Sequence, residues 1–169
     1  MRRHVIAGVV IILLTIVESS LLPAALGDAP RPNLVLIVSA TWAALRGDEG
    51  LLWAMGGGLL LDLQSGAPFG LHMVGLITGN ALAALLDRAP IPIPIVRSLN
   101  WVLVTTATYH IVALIVLGLV RRTFEFSTGF TNVVLPSLVA NLILAIPVHV
   151  VLTRLWMQLR QGERFLPGR

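Results

Sequence analysis

Apolar runs alternate along this chain with short clusters of charge, proline and glycine. The breaks fall at Arg2-Arg3, at Pro23, at Arg31-Pro32, at Arg46, at Asp48-Glu49, at Gln64-Ser65-Gly66, at Asp87-Arg88, in a proline-rich linker from Ala89 to Pro94, at Arg121-Arg122 and in a basic tail. The runs between them predict six helices, over residues 4–22, 33–45, 50–63, 69–86, 98–120 and 132–155. A bilayer core of about 30 Å needs about 20 apolar helical residues per span. The second and third runs fall short of that, at roughly 20 Å each from a 1.5 Å rise. The reading here is that both still cross, because Arg46, Asp48 and Glu49 would be costly at membrane depth. The first run has the basic start of a signal peptide, but it is long, contains Glu18 and is followed by five more; it is read as a retained helix.

Composition sharpens this to a compartment. Of 169 residues, 56% are hydrophobic and 12% charged, about half the charged share of a soluble domain. Mean hydropathy is +0.89. An 18.2 kDa globule has too little interior for so many apolar side chains. An ordinary soluble domain and a disordered chain are excluded, and a single all-α membrane domain of six transmembrane helices is expected. The chain has no cysteine, which removes disulfides, thiol nucleophiles and thiolate-bound metals.

All 12 cations are arginine, with a net charge of +4. With six spans and both termini cytoplasmic, nine arginines fall inside (Arg2, Arg3, Arg46, Arg88, Arg97, Arg154, Arg160, Arg164, Arg169) and three outside (Arg31, Arg121, Arg122). That asymmetry is the positive-inside pattern. Trp42, Trp53, Trp101 and Trp156 fall near the same predicted ends, where indoles favour the interface. The charge therefore reads as membrane orientation, and no nucleic-acid binding is expected.

Few polar residues lie within the runs. Asp62 stands near the outer end of the third. An intramembrane carboxylate is a functional candidate by default; the alternative is a structural cap on the Gln64–Pro68 turn. Its candidate partners are Arg31, His72 and Arg121. Glu18, Asn33, Asp62 and His72 are expected to form a polar cluster near the outer face. A metal is not expected there, because no second histidine stands at ligand spacing. Tyr109, His110, Asn141 and His149 read as interhelical hydrogen bonders. No base neighbours the serines and threonines, so a serine nucleophile is unsupported, and no phosphate-binding loop is present. No cofactor is expected.

Small residues mark close packing. Gly75 and Gly79 form a GxxxG step, and Gly57 and Gly58 lie in a three-glycine run. These four positions serve either helix packing within the chain or an interface with a partner helix.

The stretch from Arg31 to Leu86 carries a resemblance. It includes Arg31-Pro32-Asn33-Leu34, Trp42-Ala43-Ala44-Leu45-Arg46-Gly47 and Gly57-Gly58-Leu59-Leu60-Leu61-Asp62-Leu63-Gln64-Ser65-Gly66-Ala67-Pro68-Phe69-Gly70-Leu71-His72. This resembles the bacterial rod-shape-determining protein MreD family, whose diagnostic element is a G-x-L-x-D-x-x-S-G-x-x-G stretch. Asn33 stands where that family often has Asp. The resemblance implies a non-enzymatic scaffold of the cell-elongation complex in the bacterial inner membrane. It implies direct binding of MreC, and membership of one complex with MreB, RodA and RodA's transpeptidase partner in lateral peptidoglycan synthesis. It also implies a fold similar to the six-helix substrate-binding subunits of energy-coupling-factor transporters. The alternative expectation is a small-molecule, vitamin-like, substrate-binding membrane subunit or carrier.

Overall fold

In a computed structural model, residues 2–27, 31–87, 91–120 and 129–164 are described, with backbone only for residues 2–7, 26, 48 and 159–164. Arg88, Arg121, Arg122, Arg169 and the start of the proline-rich linker lie outside the described residues. The described chain is helical, with no strand among these residues. The helices are α1 (Arg2–Ile16), α2 (Leu22–Leu26), α3 (Leu34–Arg46), α4 (Asp48–Gln64), α5 (Leu71–Leu86), α6 (Pro94–Val120) and α7 (Leu135–Arg164). A π-helical turn, Val17–Leu21, joins α1 to α2, and a second, Phe130–Val134, leads into α7. The seven helices thus make six rods.

Three rods are long and apolar enough to cross a membrane: Gly8–Ala25, Pro94–Val120 and Phe130–Gln158. This is a membrane protein by that measure. α3 and α5 are apolar but shorter, and α4 has 17 residues and three carboxylates.

The first rod runs past the expected stop at Pro23, through to Leu26. A proline within a helix removes one N–H and presses its ring on the carbonyl four residues back. Here the turn before it widens: the Leu22 N–H reaches the Val17 carbonyl, five residues back. The same device precedes Pro136, where the Leu135 N–H reaches the Phe130 carbonyl. Widening to the π spacing accommodates the ring without ending the helix.

α3 is the axis of the bundle. Every residue from Val35 to Ala44 is buried, and the helix contacts α1, α4, α5, α6 and α7. Its thirteen residues carry no outward polar face because no face is outward. Leu36, Ile37 and Ala40 meet Ala54 and Leu61 of α4, Leu76 of α5, Val102 and Tyr109 of α6, and Ala145 of α7. The surrounding helices turn rows of aliphatic side chains outward, such as Leu52, Met55, Leu59 and Leu63 on α4. In lipid such rows need no burial, and association rests on close packing and interhelical hydrogen bonds.

The glycines provide that closeness inside the chain. A Cβ on Gly58 would lie 2.6 Å from the Met73 Cα, one on Gly75 2.7 Å from the Tyr109 ring, and one on Gly79 2.9 Å from the Thr105 carbonyl oxygen. Gly57 lies against Val35. All four are buried. Of the two uses expected for them, internal packing is the one the fold makes; they present no groove to an outside helix.

One end of the bundle gathers the tryptophans. Trp42 and Trp53 stack with ring centroids 5.2 Å apart. The Arg46 guanidinium sits 3.7 Å over the Trp156 ring and pairs with Glu49 at 2.8 Å. Trp101 donates its indole N–H to Asp87 at 2.9 Å, and Arg97 pairs with the same carboxylate at 2.6 Å. Amphipathic rings with paired charges at one level are what a membrane–water boundary selects.

Candidate functional site

At the opposite end, polar residues gather where short helices begin. α3 starts at Asn33, which holds an extended φ of −91° and accepts the Leu36 N–H on its own side-chain oxygen at 2.7 Å. A second acceptor serves the same helix start: Glu18, in the π turn of the first rod, accepts the Val35 N–H at 3.1 Å. Two of the unpaired N–H groups that every helix start presents are met in this way. The favourable field of a helix N-terminus also offsets the cost of a carboxylate at this depth.

α5 begins differently. Its first residue follows Gly70, whose φ of 91° belongs to the left-handed region that a Cβ disfavours. Gly70 has no side chain to cap with, so the cap comes from another helix. Asp62, on α4, accepts the His72 N–H at 2.8 Å and the Met73 N–H at 3.1 Å. Asp62 is only 4% exposed. Both its oxygens are used by backbone, which is the structural alternative of the two readings, displaced from the Gln64–Pro68 turn to the helix that follows it. Of its expected partners, His72 is met through its backbone. Arg31 is instead turned onto the Gly27 carbonyl at the end of α2.

A relay of side chains links these helix starts. Asn33 donates its backbone N–H to Asn141 of α7 at 2.9 Å, and Asn141 donates its amide to the Thr106 hydroxyl of α6 at 3.1 Å. Asn141 is fully buried. The Tyr109 hydroxyl lies 2.5 Å from the His72 Nδ1. A tyrosine that donates there leaves the ring proton on Nε2. That Nε2 is buried, and the protein supplies it no hydrogen-bond partner.

Of the other candidate bonders, His149 pairs across helices with Ser98 at 2.8 Å. His110 bonds the Thr106 carbonyl of its own helix at 2.9 Å.

Glu18, Asn33 and His72 line one recess of about 590 Å³, together with Arg31, Tyr109 and Asn132. Asp62 does not line it; it lies one layer below, holding the helix that presents His72. Three of the four expected cluster residues therefore share a cavity and the fourth positions one of them. Tyr109 and Asn132 were not among those four. Asn132 lies in the second π turn as Glu18 lies in the first, and the prolines four and five residues downstream, Pro136 and Pro23, are the sequence signal that marks both turns.

Among the described residues no group of three or more His, Asp or Glu is placed to hold a metal ion. Compared with protein-family models, curated proteins and solved structures, the chain matches none.

Proposed function

We propose that this chain is a membrane interaction subunit of the rod-shape-determining protein MreD type, a non-enzymatic scaffold of the bacterial cell-elongation complex. In this reading all six rods cross the inner membrane and both termini face the cytoplasm. MreC is its direct partner, and MreB, RodA and the RodA transpeptidase partner belong to the same complex.

One observation carries the reading. The residues that resemble the family's diagnostic stretch act as a single structural device. Gly58 lets α4 approach the Met73 backbone, Asp62 caps α5, and Gly70, one residue past the last glycine position of that stretch, adopts the left-handed turn that starts it. Each residue type is required by geometry at its own position, so the stretch works as the signature of a fold. The inherited function is a proposal that the resemblance supports.

The test is co-purification of the full chain with MreC in mild detergent, paired with restoration of rod shape in cells depleted of their own MreD. Association with MreC and restored rods are expected. A chain that folds in the membrane but neither holds MreC nor restores shape would sink the reading.

A further inference from the structure

The recess has an unusual wall plan. Its floor is made by helix ends at one level: α3 at Asn33, α4 at Gln64 and α5 at Leu71. Three rods continue past that level. α6 runs eleven residues beyond Tyr109 to Val120, and the last rod has eleven residues before Asn141, starting at Phe130; each arm is about 16 Å long. The first rod runs eight residues beyond Glu18 to Leu26, about 12 Å. α4 and α5 have no such arms. Between the arms of the first rod and α6, the rim among the described residues is only the turn from Ser65 to Gly70. Helix axes pack about 8–10 Å apart, so among the described residues the missing pair leaves an opening on the order of 20 Å wide on the lipid-facing side.

Backbone that is neither helix nor strand is tolerated at membrane depth only against protein or a polar cavity. The Ser65–Gly70 turn therefore divides two environments. Behind it lie Glu18, His72 and Asn132; outside it lie Phe69, 69% exposed, and Leu63, 66% exposed. A soluble ligand suits a pocket that opens to water and is otherwise walled. A recess that is polar within, apolar at its lip and open along the membrane suits an amphiphile.

We infer that this recess holds the headgroup of a zwitterionic outer-leaflet phospholipid of the phosphoethanolamine kind, its acyl chains leaving over Leu63 and Phe69. Among the described residues the recess holds one Glu18 against one Arg31, both engaged by backbone, and the Asp62 charge reaches His72 and Tyr109 from one layer below. Such a site has no net positive field to select an anion. It offers one buried donor, the His72 Nε2–H, to a phosphoryl or ester oxygen, and one carboxylate, Glu18, toward an ammonium. Both lateral walls carry π turns, at Glu18 and at Asn132, and such turns recur at functional sites. The inference rests on the orientation in that reading but not on its partners; it names what occupies the membrane side of the protein whichever partners it has.

The experiment uses the full chain in vesicles of phosphatidylethanolamine and phosphatidylglycerol in equal amounts. The protein is extracted in mild detergent, and the lipid it retains is identified by mass spectrometry. Phosphatidylethanolamine should be enriched about tenfold over phosphatidylglycerol, which corresponds to about 1.4 kcal/mol. Asn132→Trp, which fills the recess from an exposed position, and His72→Phe, which removes the donor, should each abolish the enrichment. Leu85→Trp, on the lipid-facing inner half of α5, should keep it. Thermal unfolding of each variant reports folding, and Asn132→Trp keeps the test valid if His72→Phe does not fold. Retention of phosphatidylglycerol, of a non-lipid compound or of no lipid, or enrichment that survives Asn132→Trp, would overturn the inference.

Discussion

The His72 backbone N–H and the Asp62 carboxylate are 2.8 Å apart, across two helices and a turn of irregular chain. This contact decides between two meanings of an intramembrane aspartate. A carboxylate kept for chemistry leaves an oxygen toward substrate or solvent. Both oxygens of Asp62 instead close the start of α5. Removing an N-cap acceptor costs about 0.5–2 kcal/mol, and burial pushes the cost to the upper end. Asp62→Ala should lower the thermal midpoint in detergent clearly. Asp62→Asn, which keeps one acceptor, should fall between it and the parent. Equal midpoints for all three, with function lost, would return Asp62 to the chemical reading.

The glycines of α4 predict opposite outcomes two residues apart. Around Gly56 a Cβ would meet nothing within 4 Å, whereas at Gly58 it would meet the Met73 backbone at 2.6 Å. Gly56→Ala should stabilise by up to about 1 kcal/mol through helix propensity. Gly58→Ala should destabilise by about 1–3 kcal/mol, because overpacking against backbone has no flexible group to move. Unfolding midpoints of the two variants, measured side by side, check the sign at each position.

These two sites show where a sequence can be read and where it cannot. The apolar periods and their polar breaks locate the six rods to within about four residues at every end but the last, because lipid makes hydropathy a record of helix length; α7 runs to Arg164, nine residues past the expected 155, since a charged stretch can continue a helix beyond the apolar layer. Pro23 misleads, since proline usually ends a helix, and here it marks instead the π turn that lets the helix continue. Glu18, Asn33 and His72 were legible as a group because charge is scarce. That Asp62 faces the backbone of α5 was not, because a cap from a different helix depends on the hairpin's register. Nor does composition tell Gly56 from Gly58, which differ only in the face of α4 on which they fall.

Asn141 ties α3 to α6 through the Asn33 N–H and the Thr106 hydroxyl. Asn141→Leu keeps the volume but leaves two buried groups without a partner. A buried unsatisfied group costs about 1–3 kcal/mol. The loss should approach that of a small core cavity, and Asn141→Asp should not repair it, since it places a charge without a countercharge at a fully buried position. A double-mutant cycle with Thr106→Val measures the coupling; a coupling near zero would mean that the relay is not a unit.

Asp87 ends α5 and lies outside the apolar rods. Burial alone would raise its carboxyl, but hydrogen bonds from Arg97 and Trp101, with the Arg97 charge, outweigh it and hold the group below the ordinary carboxylate range. A folded-state value below the unfolded one favours the folded state above the unfolded value of about 3.9, and the benefit is lost as pH falls through the lower folded value. Stability in detergent should therefore be flat near neutrality and decline in acid. Asp87→Asn should flatten part of that acid decline while lowering the plateau. An unchanged acid profile in the variant would detach the ion pair from pH stability.

The short rods make the strongest demand on the bilayer, and a chain without cysteine allows it to be measured cleanly. α5 spans about 24 Å at the standard rise, against a hydrocarbon thickness of about 30 Å. A shorter span is accommodated by local thinning and by flanking groups that reach the interface. In the six-span reading, the Ser65–Gly70 turn, opening on a polar recess, allows the outer side to thin over α4 and α5 while the other rods keep their length. If all six rods cross, Gly66 lies on the outer side and Pro92 on the inner. Gly66→Cys has room, since a Cβ there meets nothing within 4 Å, and Pro92 is exposed. In intact cells a membrane-impermeant maleimide should label Gly66→Cys and not Pro92→Cys; in inverted vesicles the pattern should reverse. Labelling of both from the same side would show that α4 and α5 enter and return without crossing, and the six-span reading would fail with it.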